Sequence, residues 1–193
     1  DYVKEERKMK VFEKPGKHNT EEACRIALER AAFVGAPIIA ATTEGDSGAA
    51  LCRLAAETGF KGPVVIVTHA YGSRVPGENA LKKECRDEMI SHGAVLVTAA
   101  HALSGAERAM STQFKGIYPL EIIANTLRML SQGVKVVVEI GSMALDAGAV
   151  PYGVPVVALG GTGRGLDTAV LMHPAHANRI FETKIHEILC MPY

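Results

Sequence analysis

The sequence predicts an α/β protein built as a three-layer sandwich, with helices covering both faces of a mostly parallel, doubly wound sheet. Three observations predict this fold class. Apolar runs of strand length alternate with segments of helical periodicity along the chain. Glycine-rich turns directly follow two of those runs, and no repeat, low-complexity tract or linker interrupts the alternation. At 193 residues the chain has the length of one domain, which we take as 1–193.

The first half of the chain alternates regularly between the two kinds of segment. Asn19 followed by Glu22 forms a capping-box pattern, which predicts the start of the first helix. The predicted strands are 8–12, 38–42, 63–68 and 94–99, and the predicted helices are 20–34, 47–58 and 78–91.

The second half continues the pattern. Ser104 and Glu107 form another capping box that opens a short helix, and Pro119 begins a helix that runs to Ser131. The remaining predictions are strands at 134–140, 154–159 and 168–172 and a short helix at 143–148. Residues 181–191 fit a helix or a strand, and we assign them to a strand for their β-branched residues.

Composition excludes several classes of protein. The 21 acidic and 21 basic residues cancel, which argues against a nucleic-acid or anionic-membrane partner. No apolar run approaches the roughly 20 residues of a membrane helix, and no signal-peptide pattern opens the chain. The four cysteines are far apart and read as free thiols, so we expect a cytoplasmic protein. They are Cys24, Cys52, Cys85 and Cys190.

The first glycine-rich turn joins a predicted strand to a predicted helix. A glycine turn at that place directs backbone N–H groups outward, where they can bind a phosphate. The alternative is a tight connection in which Asp46 or Ser47 is only an N-cap. The turn matches neither a Walker P-loop nor the GxGxxG fingerprint. Its candidate binding residues are Thr42, Thr43, Gly45, Asp46, Ser47 and Gly48.

The second glycine-rich turn spans 160–168 and contains four glycines among six residues. A flexible loop of this kind can close over a ligand, with Arg164 as a bidentate phosphate partner. The alternative is a surface crossover with a solvated arginine. The candidate binding residues of this turn are Gly161, Thr162, Gly163, Arg164, Gly165, Asp167 and Thr168.

Polar residues follow the other predicted strands as well. Ligands of such sheets bind beyond the carboxyl ends of the strands, where the strand order reverses. We therefore expect one polar rim that also includes His69, Tyr71, Ser73, His101, Ser104, Gly105, Glu139 and Ser142. His69 and His101 are candidate acid–base groups. His173 and His176 are close in sequence, but a metal needs three or four converging ligands, so we predict no metal site.

The residues at both turns carry a family resemblance. The segment Ala27-Leu28-Glu29-Arg30-Ala31, leading into residues 38–48, resembles the opening of the pyruvate kinase C-terminal domain. Residues 156–165 and the following strand resemble that domain's closing strand–loop–strand. In regulated pyruvate kinases these two places form the pocket for a sugar-bisphosphate effector. The resemblance implies phosphate contacts at the first turn and closure over the ligand by the second.

The whole chain resembles the stand-alone pyruvate kinase alpha/beta domain proteins of archaea and some bacteria. The matching segments are Lys14-Pro15-Gly16, Asn19-Thr20-Glu21-Glu22, Ser104-Gly105-Ala106-Glu107-Arg108, Asp167-Thr168-Ala169-Val170, His173-Pro174-Ala175-His176 and Glu187-Ile188-Leu189-Cys190-Met191-Pro192. For that family the resemblance implies flavin mononucleotide (FMN) or a similar phosphorylated ligand at the strand ends. Pyruvate kinase transfers phosphate in a separate barrel domain, so the resemblance implies no pyruvate kinase activity here.

Three functions stay open on the sequence. The first is a module that binds FMN or another phosphorylated small molecule at the two turns. The second is a flavin-dependent oxidoreductase with His69 or His101 beside the flavin ring. The third is an oligomeric scaffold, since small sheets of this type often bury an edge in a homo-oligomer.

Overall fold

The structure is a computed structural model that describes residues 8–193, so residues 1–7 of the expected single domain lie outside the described part. Seven strands form one sheet. They are β1 (Lys10–Phe12), β2 (Ile38–Thr42), β3 (Val64–Thr68), β4 (Val95–Thr98), β5 (Val156–Gly160), β6 (Thr168–His173) and β7 (Lys184–Pro192). The helices are α1 (Thr20–Val34), α2 (Asp46–Glu57), α3 (Lys83–Ser91), α4 (Glu107–Phe114), α5 (Pro119–Arg128) and α6 (Gln132–Asp146). Short 3₁₀ helices cover Lys17–Asn19 and Ala177–Glu182.

The strand order across the sheet is β1-β7-β6-β5-β2-β3-β4. Every neighbouring pair is parallel except those that β6 makes with β5 and β7. From β2 the chain proceeds outward through β3 and β4, and then returns to place β5 on the other side of β2. The strand order therefore reverses between β2 and β5, which is where open α/β sheets bind ligands. The predicted α/β three-layer fold is confirmed.

Two apolar layers hold the sheet between the helices. Ile38 on β2 packs into the layer beneath α1 and α2. The next residue, Ile39, points the opposite way and packs with Val137 and Ile140 of α6. This alternation explains why β2 is apolar at successive positions, as expected for a strand buried on both faces. Within residues 8–193, no helix combines the length and the apolar character needed to cross a membrane.

The predicted strand at 134–140 is wrong, because these residues form the first half of α6. Their Val and Ile content favours a strand, but a helix buried nearly all round is also apolar at successive positions. Tertiary burial therefore overrides the local preference. The predicted short helix at 143–148 is mostly the second half of the same helix. Glu139 and Ser142 lie in mid-helix, and not at the end of a strand.

Both predicted capping boxes are wrong in detail. The Asn19 side chain donates to the carbonyl of Lys14 at 2.8 Å and does not cap α1. Helix α4 begins after Ala106 without a side-chain cap, while Oε1 of Glu107 accepts the N–H of Glu121 at 3.2 Å in the first turn of α5. The helix predicted from residue 78 starts only at Lys83. The strand assignment of the C-terminal tail is confirmed by β7.

Candidate functional site

A cavity of about 220 Å³ opens at the carboxyl ends of β2, β3 and β5, with α6 along one side. This is the place where the strand order reverses. Its inner wall includes Val67, Thr68, Gln132, Val136 and Glu139. The predicted site residues that line it are Thr42, Thr43, Ser47, His69, His101, Gly161, Gly163, Arg164 and Gly165. The two glycine-rich turns, about 120 residues apart in sequence, thus meet at one cavity.

The other predicted site residues do not line this cavity. They are Gly45, Asp46, Gly48, Ser104, Gly105, Thr162, Asp167 and Thr168. Asp167 is fully buried and accepts hydrogen bonds from the N–H of Gly16 at 2.9 Å and from Thr168 Oγ1 at 3.0 Å. Thr168 is equally buried and lies 3.2 Å from Ser131 Oγ. Through these buried contacts, Asp167 and Thr168 connect the end of the second turn to Gly16 and Ser131.

Thr42 organises the first turn. Its Oγ1 accepts the N–H of Gly45 at 3.2 Å and of Gly48 at 3.4 Å, and lies 3.0 Å from Ser47 Oγ. The residue preceding α2 is Gly45, which has no side-chain cap, so the alternative N-cap role for Asp46 or Ser47 is wrong. A helix leaves its first N–H groups without acceptors inside the helix. Of these, the N–H of Ser47 is the donor that α2 can offer to a ligand, since Ser47 lines the cavity and Asp46 does not.

Packing alone requires two glycines of the first turn. Gly45 has φ = 108°, and a Cβ there would lie 2.3 Å from Cβ of Cys85. A Cβ on Gly48 would lie 2.6 Å from Sδ of Met89 and 2.9 Å from Cγ2 of Ile66. Both glycines thus allow α3 and β3 to approach the turn, whatever the turn binds.

The second turn has an anchored base and an exposed tip. A Cβ on Gly165 would lie 2.1 Å from Cα of Lys17, and the N–H of Leu166 donates to Thr20 Oγ1 at 3.1 Å. At the tip, Gly163 and Arg164 are exposed and both have positive φ, 58° and 67°. The left-handed conformation of Arg164 is uncommon for a residue with a side chain. This backbone conformation places the positively charged side chain of Arg164 at the cavity mouth.

Arg164 lines the cavity, and ion pairs through Glu44 link it to three further charged residues. These five residues are called the mouth cluster: Glu44, Asp46, Arg74, Lys82 and Arg164. Oε1 of Glu44 lies 3.0 Å from Nη1 of Arg74 and 3.3 Å from Nη1 of Arg164. Lys82 Nζ lies 2.9 Å from Oδ2 of Asp46, and this hydrogen bond lowers the pKa of Asp46 and raises the pKa of Lys82. The cluster holds three cations and two carboxylates, a net positive charge.

Sequence reasoning missed Arg74 and Lys82. Arg74 lies in the loop that follows β3, and Lys82 immediately precedes α3. Neither belongs to a local motif, and only the path of the chain brings them to the first turn.

A pair of histidines forms one wall of the cavity. The ring centroids of His69 and His101 are 4.7 Å apart, edge to face. Burial lowers the pKa of both imidazoles, so both are neutral at pH 7. Behind them, Glu139 forms a buried ion pair with Lys135 and accepts the N–H of Leu103 at 3.0 Å. The cavity thus has neutral imidazoles inside and cations at its mouth.

Helix α6 begins at this cavity, which the sequence did not predict. A Cβ on Gly160 would lie 2.6 Å from the carbonyl oxygen of Gly133, so the end of β5 and the first turn of α6 are in direct contact. Ser131 Oγ caps the helix by accepting the N–H of Val134 at 3.0 Å. In the sequence, the Ser-x-x-Val spacing and the helical periodicity that continues to Ala144 were the features that could have predicted this helix start. Two helices, α2 and α6, start beside the cavity.

The histidines near the C-terminus do not form a pair with each other. Nδ1 of His173 lies 2.6 Å from Nε2 of His186, while Nδ1 of His176 lies 2.7 Å from Oδ1 of Asp146. Among residues 8–193, no group of three or more His, Cys, Asp or Glu side chains is arranged to hold a metal ion.

A larger cavity of about 740 Å³ lies at the opposite end of α1 and α2, beside Leu28, Gly35 and Phe60. Both helices end there, and helix C-termini carry partial negative charge. That place is unfavourable for an anion, so size alone does not make it the better candidate for a phosphorylated ligand.

The fold and the cavity define a class, that of doubly wound α/β domains with a polar cleft at the point of strand-order reversal. The family model described as "Pyruvate kinase, alpha/beta domain" matches residues 21–172. The chain belongs to this pyruvate kinase alpha/beta domain family, as the resemblance of its sequence indicated.

One solved structure to which the chain is similar is titled "Crystal structure of O-ureido-L-serine synthase". The two are 18% identical with a TM-score of 0.31, and the match covers 72% of this chain and 50% of that one. The chain thus spans half the length of that protein. A similarity this distant carries no argument about function.

Proposed function

We propose that the cavity binds a phosphorylated small molecule through its phosphate group, and that FMN is the leading candidate. One observation carries the proposal: the N-termini of α2 and α6 and the tip of the second glycine-rich turn converge on one cavity. Helix N-termini attract anions through free N–H groups and the helix dipole. A net positive mouth cluster adds to that attraction.

Specific groups would hold the phosphate. The N–H of Ser47 and the hydroxyl of Thr43, both in the cavity wall, are suited to its oxygens, and Arg164 can supply a bidentate contact from the second turn. The neutral imidazoles of His69 and His101 would face the uncharged remainder of the ligand. A bound flavin would supply hydride-transfer chemistry, which amino-acid side chains lack.

The size of the cavity bears on the choice of ligand. Its volume of about 220 Å³ suits a phosphate with a short carbon chain. Sites for larger ligands span roughly 300–1,000 Å³. Entry of a whole FMN therefore requires the tip at Gly163 and Arg164 to move outward.

The proposal excludes pyruvate kinase activity, because the resemblance assigns that chemistry to a separate barrel domain.

Flavin fluorescence tests the proposal. FMN and riboflavin are each titrated into the protein. Riboflavin lacks the phosphate, which is the group that the site would hold. We expect FMN to bind with quenched fluorescence and at least tenfold more tightly than riboflavin, with inorganic phosphate competing. Equal affinities would refute the phosphate site. If neither flavin binds, thermal shifts with sugar phosphates decide whether FMN alone or the whole proposal fails.

A flavin-dependent oxidoreductase is the second candidate, and the two neutral histidines favour it. An imidazole beside a flavin can donate or accept the proton that accompanies hydride transfer. Under this hypothesis the FMN-loaded protein is reduced by a nicotinamide donor, and His101→Ala slows that reduction at least tenfold while FMN affinity changes little. Failure of every nicotinamide donor to bleach the flavin would leave only the binding function.

A further inference from the structure

A histidine and an aspartate form a hydrogen-bonded pair at the edge of the sheet opposite the ligand cavity. Nδ1 of His176 lies 2.7 Å from Oδ1 of Asp146, and Oδ2 of Asp146 accepts the N–H of Ala177 at 3.2 Å. Asp146 ends α6, which begins at the cavity and, with its 15 residues, is about 22 Å long. The function proposed above therefore does not involve the pair of His176 and Asp146.

This pair determines which ring nitrogen of His176 is available. An ionised carboxylate only accepts hydrogen bonds, so Nδ1 of the neutral imidazole carries the hydrogen and Nε2 carries the lone pair. No residue within 8–193 hydrogen-bonds Nε2. The side chain of His176 is 41% exposed. The pair thus leaves an unprotonated nitrogen, without a partner, on a partly exposed ring.

An aromatic neighbour also holds the ring. Tyr152 stacks on His176, with ring centroids 5.6 Å apart and an angle of 15° between the ring planes. The stacking and the hydrogen bond at Nδ1 together restrict rotation of the imidazole. A nucleophile that is already oriented loses less entropy when it reacts. The ring of His176 is therefore better placed to react than that of a mobile surface histidine.

The other histidines do not share this arrangement. Among residues 8–193, which include all seven histidines, only His176 has a ring nitrogen in contact with a carboxylate. His173 and His186 contact each other. His92 is exposed at the end of α3 and serves as a reference for an ordinary surface imidazole.

A depression of about 730 Å³ surrounds the pair, and Asn178 and Arg179 also line it. Nη1 of Arg179 lies 3.8 Å from Oε1 of Glu182, and both side chains are mostly exposed, so this ion pair is weak. The guanidinium can exchange that contact for a bidentate contact to the oxygens of a phosphoryl group. The depression thus combines an oriented nucleophile with a cation suited to phosphate.

We propose that Nε2 of His176 is a phosphoryl acceptor, phosphorylated by a small donor of high transfer potential such as an acyl phosphate. The lone pair of Nε2 attacks phosphorus and forms a P–N bond, while the P–O bond to the donor breaks and its electron pair leaves with the donor's carboxylate. Nε2 has no hydrogen to lose, so the ring becomes positively charged. Asp146 stabilises that charge through the hydrogen bond at Nδ1, as the aspartate of a catalytic triad does for its histidine.

The surroundings favour transfer of the phosphoryl group over its storage. Asp146, Glu182 and the C-terminal end of α6 are negative, and Arg179 is the one cation among the residues that line the depression. Repulsion from these negative groups raises the free energy of the phosphorylated state. The group is therefore ready to pass to a hydroxyl acceptor, water included.

Phosphoramidate, a small reagent that phosphorylates imidazoles, tests the proposal on the full chain. In this reaction the P–N bond of the reagent breaks and ammonia leaves with its electron pair. Tandem mass spectrometry of samples kept alkaline, where phosphohistidine survives, follows each histidine over time. We expect labelling of His176 to be at least about tenfold faster than that of His92, with phosphorus NMR assigning it to Nε2. Equal rates at the two histidines would overturn the proposal.

A matched pair of substitutions tests the role of the carboxylate. Asp146→Asn keeps an acceptor for Nδ1 but removes the charge, and we expect it to slow labelling of His176 to the rate of His92. Asp87→Asn makes the same change on α3 and should leave His176 unaffected. Circular dichroism and the melting temperature check that both variants fold. Undiminished labelling of His176 in Asp146→Asn would contradict activation by the pair.

Nitrogen NMR gives a readout that needs neither reagent nor substitution. In mildly alkaline solution, we expect the hydrogen of the neutral His176 ring on Nδ1, whereas His92 should show the mixture of tautomers of a free imidazole. A hydrogen on Nε2 of His176 would overturn the proposal, because that nitrogen would have no lone pair to donate. None of these results depends on FMN binding at the other edge of the sheet.

Discussion

Oε1 of Glu44 lies 3.3 Å from Nη1 of Arg164, and this ion pair joins the first glycine-rich turn to the tip of the second. The same oxygen lies 3.0 Å from Nη1 of Arg74. One carboxylate thus holds two guanidinium groups at the cavity mouth, in the way that an oxygen of a bound phosphate would. Under the proposed function, a ligand phosphate would have to compete with Glu44 for these cations.

We expect Glu44→Gln to raise the affinity for FMN and for inorganic phosphate by about threefold to tenfold, which corresponds to roughly 0.7–1.4 kcal/mol. The substitution removes the competing charge while nearly preserving the shape of the side chain. Fluorescence titration measures the change. Glu57→Gln, at the far end of α2, is the matched control and should have no effect. A weaker affinity in the Glu44 variant would show that Glu44 positions the arginines for the ligand.

Arg164→Gly separates the conformation of the loop from its charge. Glycine accepts φ = 67° without strain, so the melting temperature should stay constant or rise slightly. Phosphate-ligand affinity should fall about tenfold, since a charge-assisted contact of about 1.5 kcal/mol is lost. Lys115→Gly also replaces a left-handed cation, outside the mouth cluster, and should leave affinity unchanged. Equal affinity in both variants would remove Arg164 from the site.

The ion pair between Lys135 and Glu139 is buried beside the cavity, with side chains 8% and 6% exposed. Lys135→Met leaves the Glu139 carboxylate without its cation, and we expect it to lower the free energy of unfolding by about 3–5 kcal/mol. In Lys135→Met/Glu139→Gln the uncompensated charge is gone, and an acceptor for the N–H of Leu103 remains. The double variant should recover at least half of the loss in urea denaturation. If the double variant is no more stable than the single variant, the loss in the free energy of unfolding comes from lost packing and not from the uncompensated charge.

Stability should fall as the pH drops below about 6.5, the ordinary pKa of His69, His101 and His173. Burial lowers the pKa of all three, so the unfolded chain binds protons more readily than the folded protein. The full contribution is present above pH 6.5 and is lost as the pH falls through the lowered values. Urea titrations between pH 8 and pH 5 measure it. The double variant His69→Asn/His101→Asn should show a weaker dependence of the free energy of unfolding on pH. If its slope against pH is unchanged, other groups cause the loss of stability.

The fold was largely predictable because β2, β3, β4, β5 and β6 carry short apolar runs bounded by turn residues, and because α1 and α2 have clear helical periodicity. The error at 134–140 has a physical cause. A helix in contact with the sheet on one side and with α5 on the other is apolar at successive positions, and local sequence cannot distinguish it from a buried strand. The local signals for a helix were the Ser131 cap and the helical periodicity that continues to Ala144.

At the site, the sequence alone was sufficient to identify the two glycine-rich turns and the polar residues that follow the strands, since both are local features of strand ends. Only the tertiary structure decided which of them share a cavity. It assigned Gly45 and Gly48 to packing against α3, and Asp167 and Thr168 to buried hydrogen bonds. It also brought Arg74 and Lys82 into the mouth cluster and the start of α6 to the cavity wall. Charge and close packing act through space, so residues 30 or more positions apart become partners only when the sheet sets their order.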